Sequence, residues 1–149
     1  MVASCAPSIA PQIGYLSPDF TARSLDKTKI QLKEFRGEIV LLNYWSIGCQ
    51  SCNKEMKEID NIYHLYKDKN VVIISINPFE NETQVQQFLD VAGYGWYFII
   101  DKSQELVHNY QVNCVPMNFI IDTKGRIREI FVGFVSEEKL SLGLSELIE

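Results

Sequence analysis

No stretch of the 149-residue chain approaches the ~20 consecutive apolar residues needed to cross a bilayer. No block of lysine or arginine marks a surface for nucleic acid or anionic lipid, and the net charge of −5 points away from both. Histidine is scarce: His64 and His108 stand alone, without the spacing of a ligand pair. The four cysteines are too few to staple a scaffold of this size, and no second Cys-x-x-Cys completes a zinc or iron–sulfur site. Asn53 rather than histidine follows Cys52, which disfavours attachment of a c-type haem. Internal repeats are missing, and nothing in the chain calls for a cofactor or a resident metal.

What is present suffices for one core, since 46% of the residues are hydrophobic. Residues 1–17, rich in Ala, Ser and Pro, read as a flexible tail, and residues 18–149 as a single domain. From Pro18 to Phe35 the pattern suits a short hairpin turning at Leu25-Asp26-Lys27-Thr28. The unbroken apolar run from Ile39 to Trp45 predicts a strand buried on both faces, and Val71–Ile76 a second. Between them Cys52, Met56, Ile59, Ile62, Tyr63 and Tyr66 recur at helical spacing, which predicts a helix over about residues 51–67. A second helix over 81–90, a short strand at 98–100 and a helical turn over 103–110 follow. Met117–Asp122 and Ile127–Val132 then flank a Thr123-Lys124-Gly125 turn as an antiparallel pair, and a last helix from Ser136 presents Leu140, Leu144, Leu147 and Ile148 inward. Parallel strands first, an antiparallel pair last and helices on both faces make an α/β sandwich with a central mixed sheet.

The chemistry concentrates at Cys49-Gln50-Ser51-Cys52. Cysteines at i and i+3 in a first helical turn lie on nearly one face, so their sulfurs reach the ~2 Å of a disulfide without distortion elsewhere. The free N–H groups of that turn carry partial positive charge and favour thiolate, the attacking species. Cys49, at the very start, is predicted to be the nucleophile, and Cys52, one turn inside, the residue that resolves a mixed disulfide. Trp45, Trp96 and the many Tyr and Phe residues read as core packing.

The stretch from Gly37 to Trp45, the Cys-x-x-Cys with Glu55 after it, and the block Val115-Pro116-Met117-Asn118-Phe119-Ile120-Ile121-Asp122 with Gly125-Arg126-Ile127 together resemble the membrane-tethered, thioredoxin-like TlpA/ResA group. Pro18-Asp19-Phe20 matches as well, so the resemblance covers nearly the whole chain from about residue 14. It implies a thioredoxin-like three-layer sandwich with an N-terminal β-hairpin, and a redox-active Cys49–Cys52 disulfide. It implies further that Pro116 is cis and faces the dithiol, that the Val115 backbone pairs with an incoming polypeptide, and that Trp45 belongs with these two at the substrate side. Glu55 falls where that group places an acidic residue beneath the dithiol, able to disfavour thiolate and to pass a proton to a leaving sulfur. There are departures: Gln50-Ser51 lacks the proline often found before the second cysteine, Gly48 replaces an aromatic residue, and Lys57 replaces a helix-kinking proline.

These readings converge on an extracytoplasmic thiol–disulfide oxidoreductase that reduces protein disulfides and receives electrons from a membrane partner, with cytochrome c maturation as one setting the resemblance offers. Val2-Ala3-Ser4-Cys5 resembles the end of a bacterial lipobox, so lipidation of Cys5 is an expected route to the membrane. An alternative of another class is a Cu(I) metallochaperone using Cys49 and Cys52 with Cys114 or Met117. A peroxidase would need a cysteine backed by Thr and Arg in a proline-led loop, and none surrounds Cys49.

Overall fold

The computed structural model describes residues 11–148, so Cys5 and the lipobox-like segment lie outside the described residues. The chain runs through β1 (Thr21–Arg23), β2 (Lys29–Gln31), β3 (Ile39–Tyr44), α1 (Gln50–Tyr66), β4 (Val71–Asn77), α2 (Glu82–Ala92), β5 (Tyr97–Ile100), α3 (Glu105–Asn109), β6 (Met117–Ile121), β7 (Ile127–Val132) and α4 (Glu137–Ser145). β1 and β2 form a separate antiparallel hairpin, while the other five strands form one sheet in the order β5-β4-β3-β6-β7.

Every residue of β3 is buried, as a largely apolar run flanked by turns predicts, and Asn43 is its one buried amide. It lies at the centre of the sheet, parallel to β4 and antiparallel to β6. Parallel pairing to β4 needs a crossover, and α1 supplies it. One face of the sheet packs against α1, α2 and α4 through Met56, Ile59, Ile62, Val85, Leu140 and Leu144. The other face is closed by the hairpin and α3, with Phe20, Ile30, Leu32, Leu106, Tyr110 and Phe119 in the second core cluster. The result is the three-layer sandwich with a central mixed sheet.

Three boundaries differ from the sequence reading. The predicted hairpin ends early, because Leu32–Phe35 close into a 3-10 turn that buries Leu32. α4 ends at Ser145, and Leu147 and Ile148 pack half-buried beyond it. The tail expected through residue 17 is fastened from Gly14 onward: Gly14 N–H donates to the Ile127 carbonyl (2.7 Å), Ser17 N–H to that of Gly125 (2.8 Å), and Tyr15 accepts from Ile127 (2.9 Å). Alternation could not reveal this, since the segment borrows its partners from residues over a hundred positions away. α1 passes through Lys57 as one helix of 17 residues.

Asn81 caps α2 in a capping box: its side chain accepts the Gln84 N–H while the Gln84 side chain accepts the Asn81 N–H. Gly93 ends the helix at φ 74°, a left-handed conformation that costs glycine little. Asn81→Ala is expected to lower unfolding stability by about 1 kcal/mol in urea denaturation without changing thiol reactivity.

A candidate dithiol active site

Cys49 is the N-cap of α1, in extended backbone at φ −102° and ψ 114°. Its Sγ therefore stands where an N-cap oxygen usually stands, and accepts the Cys52 N–H at 3.1 Å. Ser51 Oγ lies 3.4 Å from the same sulfur, and the Val115 carbonyl 3.8 Å from it. Cys49 is half-buried, whereas Cys52 is 1% exposed. The two are joined as a disulfide, with Cα atoms 5.1 Å apart. The Val115–Pro116 peptide bond is cis.

The loop leading to Cys49 is held from the next strand end. Glu80 accepts from the Ile47 N–H (2.7 Å), the Ser46 hydroxyl (2.8 Å) and the Asn77 amide (2.8 Å). The Ser46 hydroxyl also accepts the Gly48 N–H at 3.2 Å, and Asn53 donates to the Ile47 carbonyl at 2.8 Å. Three consecutive residues before the dithiol are thus tied down by side chains, which sets the entry angle of the chain into α1. Sequence reasoning missed Ser46 and Glu80, because their partners come from separate loops that only the parallel β3–β4 pairing brings together.

Glu55, one turn below Cys52 on α1, is fully buried. Its Oε1 accepts from Asn118 Nδ2 (2.6 Å) and Asn43 Nδ2 (3.1 Å), and its Oε2 accepts the Val135 N–H (3.1 Å). Burial raises its carboxyl from 4.5 to about 7, against the pull of the Asn118 and Val135 donors. Asn43 and Asn118 were also missed, although each is the only polar residue of an apolar strand, a signal that a buried polar group needs a partner.

Trp45 is fully buried and packs against Phe88 (5.1 Å between centroids) and Phe98 (5.8 Å). Its side chain offers no surface to a substrate, so the expectation that it binds one gives way to packing beneath the loop that carries Cys49. The carbonyl of half-buried Val115 lies 3.8 Å from Cys49 Sγ, and buried Pro116 follows it across the cis bond. Cys114, next to them, is an exposed free thiol. Among the described residues no group of three or more His, Cys, Asp or Glu is placed to hold a metal ion, and no helix is long and apolar enough to cross a membrane.

A carboxyl whose folded-state pKa lies above its unfolded value binds its proton more tightly when folded. Its stabilising contribution is full below about pH 4.5 and is lost as the pH rises through about 7. The loss is on the order of 3 kcal/mol. Denaturant unfolding of the oxidised protein should therefore show stability falling between pH 5 and pH 8, roughly the window set by these two values, and Glu55→Gln should flatten that slope.

Residues 13–130 match the AhpC/TSA family. The thiol-disulfide oxidoreductase ResA of Bacillus thuringiensis is 36% identical over 129 residues, which span 87% of this chain and 75% of that protein. ResA of Geobacillus kaustophilus is 29% identical over 138 residues, 93% and 79% of the two chains. Among solved structures, a thiol:disulfide interchange protein of the thioredoxin family from Chlorobium tepidum superposes with a TM-score of 0.84 at 16% identity, covering 94% of this chain and 100% of that one. The exposed lipoprotein thioredoxin of Streptococcus pneumoniae does so with a TM-score of 0.77 at 22% identity, covering 87% and 100%. A thioredoxin fold with its dithiol at the junction of β3 and α1, together with the extent of these matches, leads to one assignment: the chain belongs to the AhpC/TSA family, among the ResA-type thiol-disulfide oxidoreductases.

Proposed function

We propose that this oxidoreductase works outside the cytoplasm as a reductant of protein disulfides, with Cys49 attacking, Cys52 resolving and Glu55 managing the proton. The observation that carries the reading is the inequality of the two sulfurs: Cys49 is half-buried on the helix N-terminus beside the Val115 carbonyl, while Cys52 is sealed beneath it.

In the reduced protein the Cys49 thiolate attacks one sulfur of a substrate disulfide. A mixed disulfide forms, the substrate S–S bond breaks, and one substrate sulfur leaves as thiolate and takes up a proton. The Cys52 thiolate then attacks Cys49 Sγ, the Cys49–Cys52 bond closes, and the second substrate sulfur leaves. Two electrons have passed to the substrate, and the chain is left in the disulfide state seen here. The substrate lies against Val115 and Pro116, and the half-buried Val115 backbone beside Cys49 is the partner for its extended chain. Glu55, with a carboxyl near 7, takes the proton from Cys52 as it ionises.

A dithiol used up in this way must be reduced again, and a thiol donor in the membrane is the proposed source. Attachment through a lipid on Cys5 keeps the chain beside that donor. The Val2-Ala3-Ser4-Cys5 motif supports this, as does the name of the pneumococcal neighbour, an exposed lipoprotein. Cytochrome c maturation or a related assembly pathway is the proposed setting.

Equilibration of Cys49 and Cys52 with glutathione should give a potential in the reducing part of the range, near about −270 to −200 mV; a value near about −120 mV overturns the direction. Cys52→Ser should trap a mixed disulfide through Cys49, and Cys49→Ser should trap none. Metabolic labelling with a fatty acid in the native host should mark the wild-type protein and not Cys5→Ala.

A further inference from the structure

The carboxyl of Glu55 is the end of a buried hydrogen-bond chain that crosses three strands. Trp96 Nε1 donates to Ser75 Oγ (2.8 Å), and Ser75 Oγ donates to Asn43 Oδ1 (2.8 Å). Asn43 Nδ2 donates to Asn118 Oδ1 (3.0 Å) and to Glu55 Oε1 (3.1 Å), and Asn118 Nδ2 donates to Glu55 Oε1 (2.6 Å). The sheet register makes the row: Asn43 on β3 lies opposite Ser75 on β4 and opposite Asn118 on β6. Ser75, Asn43 and Asn118 are each at most 1% exposed, so no water competes for these bonds.

The direction of the chain follows from its first member. An indole nitrogen is a donor only. Ser75 Oγ must accept from it and is left to send its own proton to Asn43. That proton requires the Asn43 oxygen to face Ser75, which turns the Asn43 NH2 toward Asn118 and Glu55. The Asn118 oxygen then receives one of those protons, and the Asn118 NH2 is turned toward Glu55. Reversal of either amide would aim an oxygen at the carboxyl, a contact that only the protonated acid can satisfy.

We infer that Ser75 and Trp96 are positioning residues for the dithiol chemistry, orienting the Asn43 and Asn118 amides so that both present donors to Glu55. The inference rests on the proposed role of Glu55. Neither residue touches the sulfurs. β3, β4 and β6 bring only neutral side chains to the carboxyl. The ionisable residues nearest to it along α1 are Cys52, Lys54, Lys57 and Glu58, with Cys49 at the N-cap, and those at the start of α4 are Glu137, Glu138 and Lys139. Of these, Lys54 is exposed over the Phe134 ring, Lys57, Glu138 and Lys139 are exposed as well, and Glu58 is half-buried. The stacking of Trp96 on Tyr94 (4.9 Å) and Phe98 (5.3 Å) does not need its N–H, so Trp96→Phe removes the donor and keeps the stack.

The test is the Glu55 titration itself, followed through the carboxyl carbon by NMR in glutamate-labelled full-length protein, together with the pH profile of Cys49 and Cys52 alkylation. Ser75→Ala and Trp96→Phe should each raise the proton affinity of Glu55, by about threefold, because the donors aimed at its ionised form lose their orientation. Ser75→Thr, which keeps the hydroxyl, should restore the wild-type midpoint. If Ser75→Ala does not fold, Trp96→Phe decides alone. An unchanged Glu55 midpoint in Trp96→Phe overturns the inference. An unchanged alkylation profile in Glu55→Gln instead overturns the role of Glu55, and is distinguishable because the carboxyl titration reads the hydrogen-bond chain directly.

Discussion

A carboxyl group taken fully out of water is costly unless every lone pair it exposes finds a donor, and Glu55 is such a group. The donors come from three places: Asn43 in β3, Asn118 in β6 and the Val135 backbone just before α4. The site therefore depends on a single register. A slip of one residue between β3 and β6 would turn Asn118 to the opposite face and put an apolar side chain against the acid. The burial that lifts the acid toward neutrality and the donors that pull it back both follow from this arrangement, and together they leave a proton that can move near physiological pH.

The sulfurs are governed by a different set of contacts. Cys49 owes its position to the turn from β3 into α1, held by Glu80, and its electrostatics to the exposed N–H groups of the helix start. Cys52 owes its burial to the helical period that also buries Met56 and Ile59. One helix thus has the half-buried Cys49 sulfur at its N-cap, the buried Cys52 sulfur one turn in and the buried acid a turn below. The departures at Gln50-Ser51 bear on the first of these, since the Ser51 hydroxyl lies beside Cys49 Sγ where a proline could offer nothing to donate.

Much of this was legible in the chain before folding. The unbroken run from Ile39 to Trp45 and the helical spacing from Cys52 to Tyr66 located the junction of β3 and α1 to within a residue. Asn43, Ser75 and Asn118 are visible as polar residues in apolar strands, but their significance lies in being neighbours of one another, which the sequence does not show. For Trp45 the resemblance implied a place at the substrate side, but its ring is directed into the core, as its apolar setting in the chain suggests.

The sequence by itself determined the elements and the dithiol, because hydrophobic period, cap residues and a three-residue cysteine spacing act over one or two turns of chain. Only the tertiary structure decided what lies under the dithiol. Glu55 meets Asn118 across 63 positions and Val135 across 80, and Glu80 meets Ile47 across 33. Contacts of that separation are set by strand order and register, which depend on how two faces of a sheet are covered at once, and no local pattern encodes them.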